Sequence, residues 1–311
     1  MNQYKPEGSY IKSHKNYEYT SSFEGLMRAC EKGLILEGRV SLCDHNLDLY
    51  LDLGSNVKAM IPKNEVQFTG DGSPPKDIAI LTRVGKTVCF KPLGLHRRQN
   101  GETLAILSRR AAQEECLLNY VNTLVPGDVI PAKVTHLESF GAFVDIGCGI
   151  ASLLSIDCIS VSRISHPGER LAVGENVFTV VKSVNENGRI YVSQKELLGS
   201  WEENAALFSE GQTVRGVIRS IESYGIFVEL LPNLAGLAEY RPDVFPGQTA
   251  AVYIKSILPE KMKIKLIIID TQDEAMSRIP PEYFIDVNSV THIDHWQYSP
   301  KRSKKSIQSV F

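Results

Sequence analysis

The chain has little of what would give its function away at once. Its 311 residues contain 34 Lys and Arg against 36 Asp and Glu, a net charge of −2. No bulk positive charge is present to drive binding to nucleic acid, so any such binding must rest on local patches and stacking. No run of about 18 apolar residues occurs, which excludes a membrane-spanning helix. Residues 1–16 are polar and carry no apolar stretch of the secretory type. The six cysteines (30, 43, 89, 116, 148 and 158) form no C-x-x-C pair and no Cys/His zinc spacing, so free thiols in a reducing cytoplasm are expected. No phosphate-binding glycine loop, metalloprotease helix or paired-acid motif stands out, and neither an enzyme nor a cofactor is expected.

What is present is one phrase written three times. Leu49-Tyr50-Leu51-Asp52-Leu53-Gly54, Ala142-Phe143-Val144-Asp145-Ile146-Gly147 and Ile226-Phe227-Val228-Glu229-Leu230 each alternate with period 2, the pattern of a half-buried strand. The aliphatic phase fits a core. The other phase carries an aromatic and then an acid, which predicts that ring and carboxylate both face outward. The surrounding sequence repeats too: Gly127-Asp128 matches Gly211-Gln212, a period of about 84 residues, too long for a solenoid and suited to tandem small domains. Each copy reads as five short strands, the strand count of the oligonucleotide/oligosaccharide-binding (OB) barrel.

The expected plan is all-β: an N-terminal segment 1–33, three five-stranded barrels at 34–115, 121–198 and 207–272, and a tail 273–311. Residues 1–19 read as irregular. A capping-box pattern at Ser21-Ser22-Phe23-Glu24 predicts a short helix ending at Gly33. Runs rich in Ala, Leu, Glu and Gln at 109–120 and 195–208 predict helical connectors between barrels. Copy one is lengthened by the Gly/Pro-rich segment 69–75, and the tail holds Pro280-Pro281.

The phrase Ser139-Phe140-Gly141-Ala142-Phe143-Val144-Asp145-Ile146-Gly147, with Val173-Gly174-Glu175 and Gly188-Arg189-Ile190-Tyr191-Val192-Ser193 after it, resembles the signature of the S1 RNA-binding domain. The resemblance runs over about 34–272, strong in copy two, good in copy three and weak in copy one. The whole chain is similar to short, three-repeat relatives of bacterial ribosomal protein S1. It implies a non-catalytic binder of single-stranded RNA. In that family the RNA face uses two aromatics near strand two, often a histidine on strand three, and a polar residue and an arginine near strand five. These positions fall on Phe140, Phe143, Asn185 and Arg189 in copy two, with Ser155 where the histidine is usual. In copy three they fall on Tyr224, Phe227 and Lys263, with Ala238 or Glu239 on strand three. Copy one keeps only Tyr50, with Leu47 at the first aromatic position, Asp48 for the glycine and Leu104 for the arginine.

Other readings stand beside these. An aromatic in a strand is more often core than ligand, and Phe140 taken alone reads as core. Gly141 and Gly225 could serve only to bend a barrel corner. Lys91, His96, Arg97, Arg98, Arg109 and Arg110 form a basic cluster that is either solvated charge or a phosphate contact. The degenerate first copy suggests protein docking, in the family parallel on the small ribosomal subunit. His292-x-x-His295 lacks further metal-ligand spacing, Trp296 is expected to pack, and the lysines of 301–305 to be solvated. The rival functions are an adaptor on the ribosome or a transcription complex, and an accessory RNA-binding subunit in RNA processing.

Overall fold

The computed structural model describes residues 4–54, 57–70, 72–97, 103–273 and 281–311, without the Arg97 side chain. Asp71, Arg98 and Pro280 of the sequence reading lie outside the described residues. Three closed five-stranded barrels follow one another. The first is β1 (Leu36–Cys43), β2 (Leu49–Asp52), β3 (Lys58–Ile61), β4 (Thr87–Arg97) and β5 (Thr103–Ser108). The second is β6 (Val129–Glu138), β7 (Gly141–Asp145), β8 (Ala151–Ser155), β9 (Asn176–Val184) and β10 (Ile190–Ser193). The third is β11 (Thr213–Glu222), β12 (Gly225–Leu231), β13 (Leu234–Ala238), β14 (Thr249–Leu258) and β15 (Lys263–Gln272). Third and fifth strands pair in parallel at Met60↔Ile106, Leu153↔Tyr191 and Leu237↔Lys265, which closes each barrel and fixes its register. Every other pairing of the first and third barrels is antiparallel, as are β6 with β9 and β9 with β10 in the second.

The period-2 alternation explains the cores. Leu49, Ala142, Val144, Ile226 and Val228 are fully buried, while Tyr50, Phe143 and Phe227 on the opposite phase are half-exposed. The chain forms two compact units, residues 1–124 with 145–151, and residues 125–144 with 152–311.

In the first unit, residues expected to be irregular form α1 (His14–Thr20), which starts on the Ser13 side chain. Its tyrosines and asparagine are poor helix formers. A tertiary contact holds it instead, the Asn16 side chain bonding both the N–H and the C=O of Glu37. The next helix, α2 (Phe23–Glu31), is capped by Ser22, which accepts from the Gly25 N–H at 3.0 Å. The expected Ser21–Glu24 box is not used, because Ser21 closes α1. Thereafter come α3 (Asp77–Leu81) and α4 (Arg109–Asn119).

In the second unit the expected single connector over 195–208 is two pieces, a 3-10 turn at Lys195–Leu198 and α5 (Trp201–Ala205). Gly199 breaks the run at φ 81°, where a Cβ would meet the Phe284 ring, and Ser200 with Glu203 restarts it through a capping box. The tail then packs back. Tyr283, Ile285, Val287, Val290 and Ile293 cover Val129 and Val180 of the second barrel. Trp296 and Tyr298 join the core of the third, and β16 (His295–Gln297) pairs with β17 (Gln308–Val310).

Candidate nucleic-acid interface

The turn between β6 and β7 ends in Phe140, and β7 carries Phe143 three residues on. Phe140 is 53% exposed, so the core reading of that ring does not hold. It meets Phe143 edge to face, with centroids 6.2 Å apart and planes at 89°. The third barrel repeats this with Tyr224, 67% exposed, and Phe227, centroids 6.1 Å apart and planes again at 89°. Edge-to-face packing is the preferred contact of two rings, and it holds each at a fixed angle while leaving a face to solvent. A Cβ at Gly141 would lie 2.5 Å from the Leu154 carbonyl oxygen, and one at Gly225 2.5 Å from that of Ala238. These glycines let the rising strand cross close beneath its neighbour, which lifts the preceding ring clear of the barrel. The bend and the exposed aromatic are one feature.

Register resolves the strand-three position. From Leu153↔Tyr191 and Leu237↔Lys265, the third-barrel counterpart of Ser155 is Glu239, which is exposed, and not the buried Ala238. Ser155 is half-buried and hydrogen-bonds the Asp157 carboxyl, holding it below its ordinary pKa. Asn185 is a turn former: its Oδ1 accepts from the N–H groups of Asn187 and Arg189 at 3.0 and 2.8 Å. That turn sets the base of Arg189, whose side chain is exposed. Lys263 holds the same place at the start of β15 and is exposed.

Among the described residues the first barrel has no such pair. Leu47, at φ 66°, packs against the core, and Tyr50 aims its hydroxyl at Asp44, 3.5 Å away. Asp48, in the glycine position, accepts from the Lys63 N–H at 2.8 Å. By register Leu104 stands where Arg189 and Lys263 stand in the other barrels.

Two expectations about charge fail in part. In the second and third copies the acid after the aromatic does not share its exposure, since Asp145 and Glu229 are buried, whereas Asp52 of the first copy is exposed as expected. Asp145 accepts from the N–H groups of Glu7, Gly147 and Gly149 at 2.7, 2.8 and 2.9 Å. Burial, with the Glu7 carboxylate close by, nevertheless pushes its pKa up to about 7. Glu229 is gripped by Arg219 at 2.8 and 3.2 Å and by Arg170, while Arg219 also reaches Glu169. These pairs tie the second barrel's long loop to the third barrel. Three members of the basic cluster are paired with acids. Arg109 is fully buried, its Nε and one terminal nitrogen donating to the Glu7 carboxylate at 2.6 and 3.1 Å. Lys91 pairs with Glu115 and Arg110 with Glu65. Glu7 and Glu115 lie far from their partners in sequence and gave no local signal. The His292 ring binds Asp128 at 2.8 Å, an anchor for the tail in place of a metal ligand.

No helix among the described residues is long and apolar enough to cross a membrane. The S1 RNA binding domain model matches residues 124–195, the second barrel. A small ribosomal subunit protein bS1 homolog from Bacillus cereus is 31% identical over 276 residues, covering 85% of this chain and 66% of the relative. The bS1 protein of Staphylococcus epidermidis is 27% identical, covering 98% of this chain and 77% of that one. The bS1 homolog of Bacillus subtilis is 32% identical over 72% of this chain and 56% of its own length. The chain thus spans between about half and three quarters of these relatives.

Proposed function

The chain belongs to the tandem S1-domain proteins related to bacterial small ribosomal subunit protein bS1, and on that premise we propose that it is a non-catalytic, modular binder of single-stranded RNA working with the small ribosomal subunit in the cytoplasm. The observation that carries this reading is the repeated edge-to-face pair, Phe140–Phe143 and Tyr224–Phe227. Unpaired bases stack on exposed rings, and each stack contributes about 1–3 kcal/mol whatever the base. Arg189 and Lys263, each at the head of a fifth strand, supply cations for the phosphates that follow. Ser155 and Asn185 shape the margin of the second site, through Asp157 and the Arg189 turn. With few cations per barrel, affinity per barrel is modest and sequence preference slight.

Two such barrels on one chain raise each other's effective concentration on a strand that reaches both. Messenger RNA is the ligand this suits, being single-stranded and varied in sequence. The first barrel supports a different use. Tyr50 alone remains of the stacking set, and its neighbours are packed or hydrogen-bonded. We assign it to protein docking on the small subunit. The test is binding of a fluorescent pyrimidine-rich 20-mer by Phe143→Ala with Phe227→Ala. Loss of at least tenfold in affinity with unchanged secondary structure is expected, and wild-type affinity would remove the stacking role.

A further inference from the structure

The outer faces of the three barrels can be compared residue by residue. Two positions beyond the parallel pair on each fifth strand fall Ser108, Ser193 and Ile267, and their antiparallel partners on the fourth strand are Lys91, Val180 and Tyr253. In the first barrel Ser108 is fully buried and caps α4, whose Glu115 pairs with Lys91. In the second, Val180 and Ser193 are both fully buried, and the tail lies over Val180. There Tyr283 packs edge to face on Phe178, and the Val129 N–H donates to the Thr291 carbonyl at 2.9 Å. In the third barrel the same place is bare among the described residues. Tyr253 is 37% exposed, Ile267 42% and Ile269 57%. Arg215, Lys255 and Lys265, all exposed, edge this apolar strip.

We propose that this face of β11, β14 and β15 is a docking site for an extended segment of a partner protein, apolar at alternate positions and acidic between them. The occupant's chemistry can be read from the second barrel, where polypeptide of this kind covers the matching face. Residues 282–287 read Glu-Tyr-Phe-Ile-Asp-Val, with Tyr283, Ile285 and Val287 packed down and Glu282 and Asp286 beside them. The cationic edge of the third barrel complements such a segment. It disfavours a second copy of the chain, since a two-fold pairing would set Arg215, Lys255 and Lys265 against themselves. Of the three apolar residues of the strip only Tyr253 offers a flat face, and Ile267 and Ile269, the more exposed two, offer none to a base, so RNA is the poorer fit. This site is separate from the aromatic pairs and does not depend on their role.

The test is a titration of the full chain with a fluorescent peptide of residues 281–294, followed by anisotropy. Saturable binding is expected, weakened at least tenfold in Tyr253→Ala with Ile267→Asp. The single change Lys255→Glu, which leaves the apolar strip intact, is expected to weaken it severalfold and to make it less sensitive to salt. Both variants should bind the RNA 20-mer as wild type does. Four results would each overturn the proposal: no saturable binding, peptide binding that survives the double variant and so reflects displacement of the chain's own tail, reduced RNA affinity in the variants, or concentration-dependent dimerisation that Ile267→Asp abolishes.

Discussion

Phe140 and Phe143, and Tyr224 and Phe227, divide their labour by depth. The inner ring of each pair sits on the strand and is half-exposed; the outer ring leans on its edge and is mostly exposed. Replacing an outer ring by Ala should therefore cost RNA affinity, about five- to a hundredfold for one stack, with no measurable change in thermal unfolding. Isothermal titration and a melting curve on Phe140→Ala check this together. The buried charges behave in the opposite way. Arg109→Met leaves Glu7 buried without its main partner and is expected to destabilise the first unit by about 3–5 kcal/mol, seen as a lower urea midpoint. Asp145 adds a pH dependence. Its folded pKa is raised from an ordinary 3.8 to about 7, so its contribution to stability is complete below pH 4 and is lost as pH rises through 7. Amide exchange at Gly149, corrected for intrinsic rates, should show opening becoming easier over that range in the wild type. In Asp145→Asn the slope should be flat. The alternation that placed Phe143 half-outside was readable in the sequence. The burial of Asp145 was not, because its partner Glu7 lies 138 residues away, and a carboxylate held by backbone N–H groups leaves no side-chain pattern.

Strands and turns were the more legible level. Period-2 alternation marked the half-buried strands, and Gly141 with Gly225 marked the corners where the aromatic is lifted. Segments held by distant contacts were obscure. The connector over 195–208 has helical composition, yet Gly199 and the Phe284 ring split it. Likewise α1 forms on weak helix formers because Asn16 bonds the backbone of β1. The tail's apolar residues were visible but their docking place was not. One anchor of that tail is titratable. Asp128, hydrogen-bonded to His292, raises the histidine's pKa, so the bond stabilises the docked tail below the ordinary histidine value of 6.5 and fades as pH rises through the raised one. Proteolysis within 281–294 should accordingly be slower at pH 6 than at pH 8.5, after correction for protease activity, and His292→Gln should remove the difference.

In the chain as a whole, one barrel design is covered and crowned differently from copy to copy. The second and third barrels carry the aromatic pairs and are joined by Glu229 with Arg170 and Arg219. Those pairs are well shielded from solvent, so added salt weakens them less than it weakens exposed phosphate contacts. RNA affinity should fall with salt on a log–log slope of only a few phosphates, far below that of a strongly basic protein, as the net charge of −2 leads one to expect. The family was readable from the phrase around Phe143. The ion pairs that join two barrels were not, because Glu169 and Arg219 are 50 residues apart and on different repeats. What decides the account is the affinity of the full chain for a pyrimidine-rich single-stranded 20-mer, compared with that of Phe143→Ala with Phe227→Ala at one fixed salt concentration. A loss of tenfold or more, with far-ultraviolet dichroism unchanged, is the expected result; equal affinity of the two proteins would contradict it.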